Sequence, residues 1–352
     1  MEIIQIVSDL NSGGVQKFVS SLCNQISKKS DCHCIVLTGN KSIYNISQAV
    51  KLTYLNCSSL KYYNLFNYIK VYKKLKKISK KNVILHTHGI SLLFCLAFNL
   101  LNRRKFKKIH TIHNLAQNES GPARRLLNQF QFKYLKVRTV AISKAVARSF
   151  LEHYKIKPSV LIYNGICFQQ AELGVDLEKI LPGNKKNTFV SIGRFDLQKR
   201  FDKLLKIIPK IKFETRPVFI LIISDTRNSG YRIKKYTGYT IIFCFNRKDV
   251  SEILKRAEFY ISFSLFEGMP LAHIEALYSC CKVITTPAGG ASEVVDKYGI
   301  VTQTFDEEEF IKCIENRNSF NWNIDMQKKF AEKKFSMKLC CNQYEKFFEK
   351  KD

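Results

Sequence analysis

The stretch Phe259-Tyr260-Ile261-Ser262-Phe263-Ser264-Leu265-Phe266-Glu267-Gly268-Met269-Pro270-Leu271-Ala272-His273-Ile274-Glu275-Ala276-Leu277 passes from an apolar strand through a Gly/Pro loop into a helix. Glu267 stands in the loop, and Glu275 stands one or two turns into the helix. A carboxylate among Leu271, Ala272, Ile274, Ala276 and Leu277 is costly unless it meets a partner. A sugar hydroxyl is a suitable one. The alternative is a helix-start charge favoured by the helix dipole. A strand that feeds a helix through such a loop is the building block of doubly wound α/β sheets, where ligands sit beyond the carboxyl ends of the strands.

Working outward, the same alternation fills the chain. Ile3–Val7, Cys34–Leu37, Val83–His86, Lys108–Ile112 and Thr139–Ile142 read as buried strands, with helices such as Val15–Ser27 and Lys61–Ile78 between them. The pattern restarts beyond Pro158. Leu161–Tyr163, Thr188–Ile192, Val218–Ile223, Thr240–Phe243, Phe259–Ile261 and Lys282–Thr285 are expected strands. Phe201–Pro209, Val250–Arg256 and His273–Ser279 are expected helices. Alternation of this kind implies parallel sheets with helices on both faces. The expected fold is α/β, two Rossmann-like doubly wound domains facing across a cleft, joined between Pro158 and Gln170. We set the domains at 1–164 and 165–335, with a C-terminal helical segment, 336–352, packing back on the first.

Composition bounds the function classes. The 352 residues are 45% hydrophobic and 25% charged, which excludes a wholly disordered chain. The longest apolar run, Ile90 to Leu101, is shorter than the roughly 18–20 residues of a membrane span. Met1-Glu2-Ile3-Ile4-Gln5-Ile6-Val7 has no cationic stretch ahead of its apolar run, and is expected to be the first strand and not a signal peptide. Twelve cysteines without a secretion signal are expected to stay reduced, and Cys32-x-Cys34 lacks a partner pair at zinc-site spacing.

Net charge is +29 and unevenly spread. Residues 1–164 hold 27 Lys/Arg against 5 Asp/Glu, whereas residues 165–352 hold 31 against 24. A generally Lys-rich composition would spread evenly. The asymmetry instead points to a polyanionic partner of the first half, an anionic membrane or a nucleic acid. The excess lies in Lys61–Lys81, in Arg103-Arg104-Lys105 with Lys107-Lys108, and in Arg124–Arg148. In the first cluster Tyr62, Leu65, Phe66, Ile69, Tyr72, Leu75 and Ile78 recur at helical spacing. That stripe either packs on a sheet or, in this helix or a neighbour, meets a membrane.

The remaining chemistry lies on other strand-to-helix loops. Ser12-Gly13-Gly14-Val15 follows the first strand; glycines and free helix-start amides there suit a phosphate. It is not the G-x-G-x-x-G dinucleotide fingerprint. In Ser191-Ile192-Gly193-Arg194-Phe195-Asp196-Leu197-Gln198-Lys199-Arg200, Gly193 permits a tight exit, and Arg194 and Lys199 suit a diphosphate that leaves with negative charge. Thr285-Thr286-Pro287-Ala288-Gly289-Gly290-Ala291-Ser292-Glu293 again exposes amides, with Ser292 a candidate N-cap. His86-x-His88 and His110-x2-His113 lack a third metal ligand at convincing spacing.

These motifs, in this order and with Tyr163-Asn164-Gly165-Ile166, resemble those of family 4 retaining glycosyltransferases of the GT-B fold, over nearly the whole chain. Glu267-x7-Glu275 with Gly268-Met269-Pro270-Leu271 is the most specific part. The resemblance implies that Arg194 and Lys199 bind the donor diphosphate and that Glu275 holds the ribose hydroxyls. It places Glu267 near the donor sugar, with Gly193 and the amides of Gly268, Met269 and Leu271, around Pro270, lining sugar and phosphate. Gly13 and Gly14 match the loop that approaches the phosphate. In Thr111-Ile112-His113-Asn114, His113 matches a histidine that meets the donor sugar near the reacting carbon. Several positions depart from the family: Gln16 for Glu, Arg200 for Gly, Ser224-Asp225-Thr226 for a glycine-rich turn, Cys281-Lys282 for a Gly-x-Pro approach, and His273 within the Glu-x7-Glu segment.

The chain contains no Asp-x-Asp, the motif that holds a divalent ion in the other major glycosyltransferase fold. We therefore expect metal-independent transfer of a hexosyl or N-acetylhexosaminyl group, with no cofactor beyond a UDP-linked sugar donor. Expected partners are a glycan or lipid-linked acceptor in bacterial capsule or lipopolysaccharide synthesis, and the anionic inner face of the cytoplasmic membrane. Basic clusters with Tyr and Phe also fit a nucleic-acid-binding protein, although that leaves Glu267 and Glu275 unexplained. A sugar-nucleotide epimerase of the same fold is a further alternative.

Overall fold

The computed structural model describes residues 1–58, 60, 64–78, 83–102, 105–168, 181, 185–225 and 228–350. Of the residues named above, Lys61, Tyr62, Lys81, Arg103, Arg104, Gln170 and Thr226 lie outside the described residues. The chain divides into two compact units, Met1–Gly165 with Met337–Asp352, and Ile166–Ser336.

In the first unit seven strands pair in the order β3-β2-β1-β4-β5-β6-β7, all parallel. They are β1 (Glu2–Val7), β2 (Asp31–Val36), β3 (Val50–Tyr54), β4 (Val83–His88), β5 (Lys107–Ile112), β6 (Val137–Ala141) and β7 (Val160–Leu161). Helices α1 (Gly14–Ile26), α2 (Leu65–Ile78), α3 (Ser91–Phe94), α4 (Leu96–Leu101), α5 (Ala116–Glu119), α6 (Pro122–Tyr134) and α7 (Lys144–Tyr154) connect them. Ile3, Ile4, Ile6 and Val7 are all buried, as the continuous apolar run of a strand covered on both faces requires. β3 was not expected. The apolar run 90–101 is two short helices that meet at Cys95.

The stripe expected over Leu65, Phe66, Ile69, Tyr72, Leu75 and Ile78 is corrected in part. The buried face of α2 is Asn67, Val71 and Leu75, with Tyr68, Tyr72 and Ile78 half-buried against the same core. Leu65, Phe66 and Ile69 face solvent. The helix has more apolar residues than one face can bury.

The second unit repeats the plan with the order β10-β11-β9-β8-β12-β13-β14. Its elements are β8 (Thr188–Arg194), α8 (Phe201–Ile207), β9 (Val218–Ser224), β10 (Gly230–Tyr236), β11 (Tyr239–Phe245), α9 (Val250–Lys255), β12 (Phe259–Ser262), α10 (Leu271–Tyr278), β13 (Lys282–Thr285), α11 (Ala291–Val295), β14 (Gly299–Val301), α12 (Glu307–Glu315) and α13 (Ile324–Phe335). Phe189 of β8 stacks on Phe219 at 5.1 Å and on Phe259 at 4.9 Å, the centre of this core. β10 and β11 form an antiparallel hairpin, against the expectation of parallel strands throughout. β10 is exposed along its length, and Arg232, Lys234 and Lys235 guard that edge against further pairing.

The last helix, α14 (Met337–Glu349), belongs to the first unit and packs against α1. Lys29 pairs with Glu345 at 2.9 Å. Lys107 donates to Phe348 O at 2.8 Å, and Arg138 lies over the Phe347 ring at 3.9 Å and donates to Lys350 O. These cations satisfy carbonyls at the helix C-terminus, where the dipole favours them. Within the second unit, the Ile166 amide donates to Phe335 O at 2.9 Å, and Ile166 bridges Ser336. The unit therefore begins and ends at one place. All twelve cysteines are free.

Candidate functional site

In the second unit the strand-end loops after β8, β12 and β13 converge on Glu267. Lys199 Nζ pairs with Glu267 Oε1 at 2.6 Å, and both side chains are largely buried. Gly193 makes room for this: a Cβ there would stand 2.6 Å from Lys199 Cγ, so the lysine stem lies across the glycine. Gly289 supports Glu267 from the other side. It has φ +54°, and a Cβ there would meet the Glu267 carbonyl oxygen at 2.2 Å. The Gly290 amide donates to that same oxygen at 3.0 Å. Gln198 Nε2 donates to Phe266 O at 3.0 Å and reaches Glu267 Oε2 at 3.3 Å.

Arg194, in contrast, is exposed and pairs with Asp196 at 3.2 Å. Asp196 Oδ1 also accepts the Lys199 amide at 3.0 Å, which closes the turn. Each of the two cations thus holds its own carboxylate. Arg200 has φ +50° and lies over the Phe263 ring at 4.5 Å. Gly268, Met269, Pro270 and Leu271 are buried at the start of α10. Glu275 is half-buried at the fifth of that helix's eight residues, beyond its first turn, so a helix-start charge does not account for it. Burial, then the charges of Glu267 and Glu275, raise the Tyr260 phenol well above its usual range. His273 packs edge-on against that ring and bonds Thr285 Oγ1 at 2.9 Å. Burial and Lys199 keep it neutral. Ser292 is not an N-cap; Gly290 occupies that position.

At the strand ends of the first unit, imidazoles, a side-chain amide and hydroxyls bond one another. Gln5 Oε1 can only accept, so His88 donates to it from Nε2, at 2.7 Å. Burial first, then neighbouring imidazoles, hold His88 neutral. Its Nδ1 therefore accepts the Nε2–H of His113 at 2.8 Å. Burial pushes His113 down to about 3. Neutral His113 is left with Nδ1 as a hydrogen-bond acceptor. Glu119 Oε1 accepts the amides of His113 and Asn114, each at 2.7 Å, and fixes the loop. Burial lifts Glu119 to about 7 against the pull of those amides and of Arg124. His86 bonds Thr111 Oγ1, which meets Tyr344 Oη of α14 at 2.9 Å. His110 bonds Thr87 at 3.0 Å.

At the β1 exit the Gly13 amide donates to Tyr44 Oη at 3.0 Å, and Gly13 with Gly14 opens α1 without a side-chain cap. Gln16 reaches back to Asp9 at 3.2 Å.

Sequence reasoning missed Asp196, Gln198, Gln5 and Glu119, and weighed His88 only as a metal ligand. Two had signals. Asp196 accepts the amide three residues on, as an N-cap aspartate does ahead of a helix, and Glu119 is the single acid between residues 60 and 151.

Residues 12–170 match the family described as Glycosyltransferase Family 4, and residues 176–333 match Glycosyl transferases group 1. An alpha-1,4-N-acetyl-D-galactosaminyltransferase of Campylobacter jejuni, named for a GalNAc-alpha-(1->4)-GalNAc-alpha-(1->3)-diNAcBac-PP-undecaprenol substrate, is 23% identical over 90% of this chain and 88% of its own. A UDP-Gal:alpha-D-GlcNAc-diphosphoundecaprenol alpha-1,3-galactosyltransferase of Escherichia coli is 25% identical over 70% of this chain and 68% of its own. Among solved structures, a glycosyltransferase from Rickettsia africae superposes with a TM-score of 0.76 at 18% identity, covering 99% of this chain and 97% of that one. Two consecutive family matches, spanning both halves, and relatives aligned across most of their length leave one reading: the chain is a glycosyltransferase of family 4, with the two-domain GT-B fold.

Proposed function

We propose that this enzyme moves a hexosyl or N-acetylhexosaminyl group from a UDP-linked sugar to a glycan or polyprenyl-diphosphate-linked acceptor in bacterial surface-polysaccharide synthesis. The observation that carries the reading is the convergence on Glu267 of Lys199, Gln198 and the Gly289-Gly290 loop, at the carboxyl ends of three adjacent strands. Nucleotide ligands of such sheets bind at strand ends of this kind. Diphosphoundecaprenol-linked substrates in the names of both relatives, and UDP-Gal in one, support the donor and acceptor classes.

In this reading Arg194 and Lys199 exchange their carboxylate partners for the donor diphosphate, with Gly193 close beneath, and Glu275 takes the ribose hydroxyls. The amides of Gly268, Met269 and Leu271, Pro270 between them, line the sugar and phosphate. Gly13 and Gly14 serve as a phosphate-binding loop. Glu267, relieved of Lys199, faces the sugar. His113 offers Nδ1 to a sugar hydroxyl. The bond from the anomeric carbon to the phosphate oxygen breaks as the acceptor oxygen bonds to that carbon on the same face. The acceptor proton passes to a phosphate oxygen of the departing nucleotide, so the anomeric configuration is kept and no further base is needed. The fixed cations balance the leaving charge in the role a metal fills elsewhere. The cationic first unit holds the enzyme against the anionic inner face of the cytoplasmic membrane, where such an acceptor resides.

The test is a transfer assay across nucleotide sugars with Arg194→Ala and Glu275→Ala. Each is expected to lower kcat/KM by about 10²–10³, with unfolding unchanged. Either variant transferring at the parent rate would falsify the assignment. Release of an altered free nucleotide sugar, with no new glycosidic bond, would make the enzyme an epimerase.

A further inference from the structure

The outward faces of α2, α4 and α6 form one layer of the first unit. α2 packs against α3 and α4, and α3 packs against α6. The layer is tied beneath by Asn99, which donates to Gln131 at 2.8 Å, and by Gln131, which donates to Leu92 O. Its inner side is an ordinary core of Val71, Leu75, Phe94 and Phe98. Its outer side is apolar as well. On α2, Leu65 is 71% and Phe66 is 83% exposed, beside Ile69. On α4, Leu101 is 68% exposed, beside Leu100. On α6, Leu126, Phe130 and Tyr134 recur every fourth residue, and Leu126 is 68% exposed. Single exposed leucines are normal, but a run of them over adjacent helices marks a binding surface.

The charges around this layer have one sign. Lys70, Lys73, Lys76 and Lys77 are exposed on α2, as is Lys133 on α6. None of these helices contains an Asp or Glu. Glu119, the one acid of the region, is turned to the amides of His113 and Asn114.

We propose that this three-helix face seats itself in an anionic lipid bilayer, with Leu65, Phe66, Leu101 and Leu126 below the phosphates and the lysines at their level. Exposed aliphatic chains together with unopposed lysines fit a bilayer, which takes both. A nucleic acid would use the lysines and stacked aromatic rings but has no use for leucines. The surface goes beyond the general attraction of a cationic unit: it names the face, and it adds apolar insertion that salt does not screen. It rests on the proposed function only for why the enzyme would need a membrane, and vesicle binding is read without donor or acceptor, so the two can fail separately.

The experiment is sedimentation of the full chain with phosphatidylcholine vesicles, with and without phosphatidylglycerol. The parent is expected to bind the anionic vesicles and to retain part of that binding at high salt. Phe66→Ser with Leu126→Ser should lower the partition coefficient at least tenfold and abolish the salt-resistant part. Lys73→Gln should cost about fivefold at low salt, the equivalent of about 1 kcal/mol per lysine. Should the double variant fail to fold, Phe66→Trp reports the same insertion as a blue-shifted emission on anionic vesicles. Unaltered binding by the double variant, an unshifted Phe66→Trp spectrum, equal binding to neutral vesicles, or binding to RNA but not to vesicles overturns the proposal.

Discussion

Where the strands of the first unit end, imidazoles, a side-chain amide and hydroxyls hold one another. Where those of the second end, lysine and arginine hold carboxylates. The sheets beneath are alike, seven strands each with the same central parallel order. The contrast lies in how each scaffold fixes the side chains at its strand ends. In the first, Gln5 selects the tautomer of His88, and His88 in turn selects that of His113. In the second, position is set by charge and by bare backbone, since Lys199 crosses Gly193 and Gly289 lies against Glu267. A neutral relay suits a group that must present an acceptor without carrying charge. A charged pair suits a site whose ligand is an anion and can replace one partner.

The largest test of this contrast is acid. His86, His88, His110 and His113 all have folded pKa values depressed below 6.5 by burial. The unfolded chain therefore takes up protons first, and stability present above pH 6.5 is lost as pH falls toward 3. Each histidine contributes a slope of about 1.4 kcal/mol per pH unit. Glu119, raised to about 7, acts in the opposite sense between pH 7 and 4.5 and offsets part of one slope. The second unit has only His273. Hydrogen exchange read by peptide from pH 7.5 to 5 should show the first unit opening well before the second. Parallel loss of protection in both would erase the distinction.

Next in size is the pair itself. Lys199→Met strands a buried carboxylate and should cost up to about 3 kcal/mol in urea unfolding. Adding Glu267→Gln should recover most of it, since no charge is then left alone. If the single variant were as stable as the parent, charge pairing would not be what organises this site.

The smallest effects come from two glycines. Gly193→Ala drives a Cβ into the Lys199 stem, and should cost about 1–2 kcal/mol and lower the transfer rate by at least tenfold. Gly13→Ala meets only the end of the Gln16 side chain, which can swing aside, and should cost under about 0.5 kcal/mol. Thermal unfolding of the two variants side by side checks this; equal losses would mean that the loops are equally tight.

Much of this architecture was legible because it is written in continuous apolar runs: Ile3–Val7 and Phe259–Ile261 each match a strand within a residue. What escaped lacks such a run. β3 is half exposed at an edge, and β10 is exposed throughout, so it is a strand only because β11 pairs with it. The orientation of α2 was ambiguous, because its apolar residues satisfy two faces and only the sheet decides between them. The loops bearing Glu267 and Lys199 could be read locally, but their ion pair joins residues 68 apart. The Gln5–His88 bond spans 83 residues, and nothing in either neighbourhood announces it.

The placement of α14 has a consequence for how the protein is made. Its Tyr344 meets Thr111 beside His86, and it seals the underside of a sheet whose other parts are all synthesised before residue 166. On the ribosome the first half must emerge with its histidine cluster uncovered and wait for residues 337–349. The second half, whose ends meet at Ile166 and Ser336, can close while that wait continues. A chain without residues 337–349 would therefore be damaged in the half that was translated first.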